Sequence, residues 1–352
     1  MGRPWRPPWT VAAISNSERG AEMNPLPESL QGKRLVAYGA GMALLQMQTA
    51  MPLVFEFIVD DTPGLAGMEI MGLPVFPSAH LMDDHCDDRC VVIFANTSAA
   101  ILGMARSLNA KGLTWGEGYA DCTVLQYESM KLRLRERLQI DANRALFERV
   151  RLLSFYTTIP SLSTVAGTWL FAELLENLRC DGAIAECGVY QGGNAWISLF
   201  CAPAAAARPY HLLDSFAGFP ALSSPDPASR QLEFRDVDFR GIEDLFRNFE
   251  NVRIHRGYFH KTLPLLTEEK FAMVYVDCDL YEPTLELCEF FYPRLADGGF
   301  FLFHDYWVPE NDPPHMRPFR GVHRAVNEFL GADLDRLIVF PETTHALLIK
   351  SR

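Results

Sequence analysis

Twice in this chain a short apolar run ends in glycines and passes into a helical pattern, at Lys33–Gly41 and again at Gly182–Gly193. A buried strand that turns through glycine into a helix opens a Rossmann-type unit. Strands alternating with helices pair in parallel, with right-handed crossovers. Two such openings in 352 residues predict an α/β protein with two doubly wound, Rossmann-like domains.

The boundaries read as a disordered leader over 1–28, a small Rossmann-like domain over 29–125, a helical linker over 126–158 and a larger domain over 159–352. Early prolines and no apolar periodicity mark the leader, and Met23 is an alternative start. In the first domain we expect strands at Phe55–Asp61, Leu73–Phe76 and Cys90–Ala95, helices at Met42–Met51 and Ser98–Ala110, and a glycine-rich loop at Pro63–Gly72. Leu44 stands where the third glycine of a dinucleotide fingerprint would fall, so Gly39 and Gly41 alone do not specify a pyrophosphate site. In the second domain strands are expected at Ala183–Val189, Tyr210–Asp214, Val252–Arg256, Phe271–Asp277 and Gly299–His304, with two late strands at Leu337–Phe340 and His345–Ile349.

A net charge of −12 excludes a general nucleic-acid or anionic-membrane binder, since both need clustered positive charge. No apolar run approaches the roughly 20 residues of a membrane span. Eight scattered cysteines without a framework read as reduced thiols of a cytoplasmic protein. His80, His85, Cys86 and Cys90 lack a second pair at ligand spacing, so no zinc site is expected there.

Ligands of open parallel sheets sit beyond the carboxyl ends of the strands. Glu186, Asp214, Gly257, Asp277, His304 and Asp305 all fall near those ends. The glycines of Glu186–Gly193 allow close approach of backbone to a ligand, and the helix opening at Gly193 offers free N–H groups to a carboxylate. Asp214, 28 positions after Glu186, is placed to hold a ribose diol.

These stretches, together with Leu213–Pro220, Arg256–Phe259, Val276–Thr284, Tyr292–Gly299, His304–Tyr306 and Gly321–Val326, resemble the macrocin O-methyltransferase family in the family's order, over about 155–350. The smaller domain resembles modules appended to sugar-modifying enzymes. The resemblance implies a class I S-adenosylmethionine-dependent O-methyltransferase acting on a sugar hydroxyl of a natural product or glycan. The cofactor contacts it implies are Glu186, Gly188, Tyr190, Gly192, Gly193, Asp214, Ser215, Gly257 and Asp277. It also implies a divalent metal, magnesium by the family's habit, at Asp277 and the pair His304–Asp305. Histidine is a departure from the oxygen ligands magnesium prefers. Asp277 is then also a base, and His304 is either a ligand or the base; Asp279 and Asp305 as simple capping groups remain the structural alternative. The segment 217–250, with Phe216 beside it and Phe219, Phe234 and Phe239 within it, is the expected lid. Every expected cofactor position lies after residue 155, so the pocket reads as belonging to the larger domain alone. A homo-oligomer stays open. The rivals are a glycosyltransferase using Asp277 and Asp279, an NAD-dependent enzyme built on the first domain, and a non-catalytic cofactor-binding scaffold.

Overall fold

The computed structural model describes residues 27, 30–82, 88–220, 226, 233–309 and 320–351. The expected leader apart from residue 27, His85 and Cys86 lie outside them. Two sheets form. The first takes β1 (Arg34–Tyr38), β2 (Phe55–Val59), β3 (Glu69–Ile70), β4 (Leu73–Phe76), β5 (Arg89–Ile93) and β6 (Tyr119–Asp121), in the order β3-β4-β2-β1-β5-β6. All its pairings are parallel except β3 with β4. Helices α1 (Met42–Ala50) and α2 (Ser98–Ala110) cover opposite faces: Leu44 and Met47 of α1 pack with Ala37 and Val92, and Ile101 and Leu108 of α2 with Val36 and Ile93. Alternate residues of one strand thus serve two cores, which is why the strands read as unbroken apolar runs.

Strand β3 sits inside the expected glycine-rich loop, and β6 has too few residues to show periodicity. The stretch 126–158, read as a linker, forms most of α3 (Cys122–Leu138) and all of α4 (Arg144–Tyr156). Neither bridges through solvent: Met130, Leu134, Phe147 and Val150 pack in one core with Trp169 of α5 (Val165–Glu176). Tyr127, Phe147 and Trp169 meet ring to ring at 4.5–5.7 Å.

The second sheet takes β7 (Ala183–Cys187), β8 (Tyr210–Asp214), β9 (Val252–Arg256), β10 (Phe271–Val276), β11 (Leu295–Phe303), β12 (Ile338–Phe340) and β13 (His345–Ile349). Its order is β12-β13-β11-β10-β7-β8-β9, and β13 runs antiparallel between β11 and β12. Helices α6 (Gly193–Cys201), α7 (Pro203–Ala206), α8 (Phe239–Phe246), α9 (Phe259–Thr262), α10 (Tyr281–Phe291) and α11 (Gly321–Leu330) complete the chain. Seven strands with a reversed one inserted near the far edge, and helices on both faces, make the class I methyltransferase architecture. Among the described residues no helix is long and apolar enough to cross a membrane.

Candidate active site

The second sheet changes winding direction between β7 and β10, and crevices open at such switch points. A cavity of about 740 Å³ lies there. Every site residue expected from sequence lines it except Gly192, which acts behind the wall by letting Phe246 come close.

The loop after β7 is shaped by its glycines, but the close approach they permit is to the protein itself. A Cβ on Gly188, at φ +92°, would lie 1.8 Å from the Asp277 carbonyl oxygen, and one on Gly193 2.3 Å from that of Pro160. Tyr190 takes a left-handed conformation, φ +50°. Asp214, read as the ribose acid, also holds this loop: one oxygen accepts from Val189 N (2.7 Å) and Tyr190 N (3.0 Å), the other from Phe216 N (2.7 Å). Burial raises its pKa even against those donors. The Ser215 hydroxyl donates to the Gly218 carbonyl (2.8 Å).

Glu186 is buried behind the loop, accepting from Tyr210 Oη (2.6 Å) and Asn194 Nδ2 (3.1 Å). Desolvation pushes its carboxyl up to about 7. Its partner Tyr210 is nowhere in the motif, and its signal in sequence was only that of a strand residue.

Across the cavity, His304 Nδ1 lies 2.9 Å from Asp277 Oδ1 and 3.3 Å from Asp305 Oδ1. The two acids are there because β10 and β11 are neighbours in the sheet. Burial would lower the imidazole's pKa, but the two carboxylates outweigh it and hold His304 protonated. Asp305 is correspondingly depressed, against the cost of its own burial. Asp279, left-handed at φ +65°, is raised well above the usual range by burial and by Asp305 and Asp277, so it carries a proton. Behind them Tyr275 Oη lies 3.2 Å from Asp277 Oδ2 and 3.1 Å from His345 Nε2. His345 Nδ1 donates to the Thr343 carbonyl (2.7 Å), leaving Nε2 as acceptor, and burial keeps that ring neutral.

Ligand atoms of Asp277, His304 and Asp305 all lie within 4.8 Å of one another. His304 Nδ1, aimed between two carboxylate oxygens, is buried without a well-formed hydrogen bond. Two carboxylates and an imidazole nitrogen converging in this way fit a divalent cation, of borderline softness rather than magnesium.

The aromatic residues of the segment read as a lid meet one another and the loop after β7. Phe219 packs edge-on against Phe234 (4.9 Å), Phe234 against Tyr190 (5.5 Å), and Phe216 against Phe239 (5.1 Å). Asp226 ties this segment to α10 by accepting from Tyr281 N (2.9 Å). His260 lines the cavity; His323 is engaged with Tyr306 O and Asn327 outside it. His80 stacks on Phe76 (4.1 Å) on one face of the first sheet while Cys90 is buried on the other, so they cannot share a metal.

Six aspartates and four glutamates line the cavity, and no Lys or Arg does among the described residues. Met42, Gln46 and Asn96 of the first domain also line the cavity, whose expected cofactor positions all lie in the second.

An acid-walled crevice at the switch point of a seven-stranded sheet with one reversed strand defines the class: a class I methyltransferase domain. Over residues 171–340, just under half of its length, the chain matches the family model of Macrocin-O-methyltransferase (TylF). The chain is 29% identical to the Mycinamicin III 3''-O-methyltransferase of Micromonospora griseorubida, over 42% of this chain and 67% of that protein. It is 30% identical to the 8-demethyl-8-(2,3-dimethoxy-alpha-L-rhamnosyl)-tetracenomycin-C 4'-O-methyltransferase of Streptomyces olivaceus, over 41% of this chain and 64% of that protein. It thus spans about two thirds of each of these relatives. Among solved structures it resembles the O-methyltransferase NovP, at 22% identity and a TM-score of 0.45, covering 65% of this chain and 100% of that one.

Proposed function

We propose that this protein transfers the methyl group of S-adenosylmethionine to a hydroxyl of a neutral glycosyl group on a natural product or glycan. The observation that carries the reading is the cluster of Asp277, His304 and Asp305 lining one cavity with the loop after β7, in a domain that matches the macrocin O-methyltransferase model. The sulfonium is already a good leaving group, so the chain has to align the acceptor oxygen with the methyl carbon and take its proton. As the oxygen–carbon bond forms, the carbon–sulfur bond breaks and its electron pair stays on sulfur.

Asp214 and the loop it orders hold the cofactor, with Glu186 and Asn194 behind. His304, already protonated, is not the base in this arrangement; Asp277, beside it, accepts the hydroxyl proton, and the imidazolium keeps the pair near neutrality. A divalent cation held by Asp277, His304 and Asp305 would supply acidification of the hydroxyl and, by displacing the imidazole proton, take over that charge balance. The carboxylate wall favours the cationic cofactor and disfavours a nucleoside diphosphate, which argues against the glycosyltransferase alternative.

The test is calorimetry with S-adenosylhomocysteine, followed by mass spectrometry for methyl gain over a panel of glycosides. We expect binding, and turnover lost in Asp277→Asn with or without added Mn2+. Activity that survives exhaustive EDTA treatment removes the metal and leaves the Asp277–His304 pair. No binding of S-adenosylhomocysteine overturns the function.

A further inference from the structure

The first sheet has a crevice of its own. Its winding reverses between β1 and β5, so α1 and the loop after β5 flank the opening. Gly39 draws that turn tight: a Cβ there would lie 2.3 Å from the Phe94 carbonyl oxygen. In α/β proteins such a crevice commonly takes a phosphate, but this one is closed to it. Ala40 N is bound by Asp60 Oδ2 (2.7 Å), which puts a carboxylate where a phosphate would sit, and Leu44 is buried at the position of the missing glycine. The crevice opens instead into the methyltransferase cavity, through Met42, Gln46 and Asn96. That alignment is fixed by α1, which packs on the turn at Pro341–Thr343, and by Arg133 of α3, which grips the buried Glu342 of that turn through both oxygens (2.7 Å each).

Two groups in this wall carry a buried oxygen that the fold leaves unpaired. Gln46 is 2% exposed, yet its Oε1 is buried without a hydrogen-bond partner. Asn96 Oδ1 is likewise buried and unpartnered. An orphaned amide oxygen costs stability, so its place in a cavity wall calls for a ligand that supplies the donor. Neither group carries charge, and uncharged amides suit hydroxyls.

Building on the methyl-transfer reading, we propose that the crevice of the first sheet is the acceptor subsite. Gln46 and Asn96 bind hydroxyls of a neutral glycoside whose reacting oxygen lies against Asp277, and they determine which acceptor is taken. The two switch-point crevices then divide one reaction between them, cofactor in the second and acceptor in the first.

The test uses the full chain with Gln46→Met and Asn96→Ala. The measurements are the melting temperature, the Kd for S-adenosylhomocysteine, and methyl transfer to a panel of neutral glycosides that includes methyl α-L-rhamnopyranoside, against a nucleoside-diphosphate sugar. We expect the wild type to methylate neutral glycosides. In each variant the Kd and melting temperature hold, or the latter rises as the orphaned group is removed, while acceptor KM rises at least roughly fivefold, the scale of one lost neutral hydrogen bond, with kcat little changed. An unchanged KM overturns the proposal, and with a lowered melting temperature it marks both side chains as structural. Preference for the nucleoside-diphosphate sugar also overturns it, as does failure on every neutral glycoside by an enzyme that binds S-adenosylhomocysteine. Failure to bind S-adenosylhomocysteine overturns the methyl-transfer reading instead.

Discussion

Glu186 holds a proton that an ordinary glutamate would have lost. Its carboxyl moves from 4.5 to about 7 because it is fully desolvated. The folded state therefore binds this proton more tightly than the unfolded chain. The contribution to stability is full below pH 4.5 and is lost as pH rises through 7, by up to about 3 kcal/mol at 1.36 kcal/mol per unit. Denaturant titrations of the wild type and Glu186→Gln, at pH 4.5 and pH 8, test this. The variant should become relatively more stable at the higher pH, and parallel profiles would contradict it. The carboxyl of Glu186 was legible as a site residue from its place before Gly188, but its protonation was not. That depends on Tyr210 and Asn194, brought beside it by a neighbouring strand and by α6. The same holds for His304. Its identity could be read along the chain, whereas its charge is set by Asp277 on the adjacent strand.

At the level of elements, the strands and the long helices could be read because each carries its own periodicity; β8, β9 and β13 came out at their observed bounds. Strands β3 and β6, at two and three residues, carry none. The stretch 126–158 was legible as helix, but what α3 and α4 pack against was not. Their charged residues form a solvated face as expected, but the apolar stripe beneath has a partner in α5 that no local pattern names. The loop after β7 makes the sharpest prediction at this scale. Gly188→Ala places a methyl group on the Asp277 backbone and forces a strained φ, so a loss of at least about 3 kcal/mol is expected, read from the urea midpoint. Asp214→Ala releases three loop N–H groups as well as the expected ribose contact. It should therefore lower the melting temperature and weaken S-adenosylhomocysteine binding together, by calorimetry roughly 1.5–3 kcal/mol. A binding loss without a stability loss would show that the loop holds itself.

For the whole molecule, the two sheets are joined through α3, which sends Leu125 into the first core and Met130 and Leu134 into the second, and through α1 on the turn at Pro341–Thr343. Arg133→Leu leaves the Glu342 carboxylate, 0% exposed, without its counter-charge and with the Ser129 hydroxyl still donating to it, and should cost about 3–5 kcal/mol. Retention of the wild-type denaturation midpoint would show that the clamp carries no such weight. A chain beginning at 150 loses Tyr127 and Phe147 from the packing around Trp169. It should bind a hydrophobic dye and melt without a sharp transition, whereas independent folding would make the second sheet self-sufficient.

The acid lining of the cavity bears on turnover in time as well as on recognition. S-adenosylmethionine enters with a positive sulfonium and leaves as a neutral thioether, while the ionised acids among six aspartates and four glutamates surround both. A negative field of this kind draws in the reactant and has little hold on the spent cofactor, so exchange of spent for fresh cofactor is favoured. Added salt weakens that field, which slows capture of fresh cofactor and narrows the gap in affinity between the two forms. Product inhibition therefore grows with ionic strength.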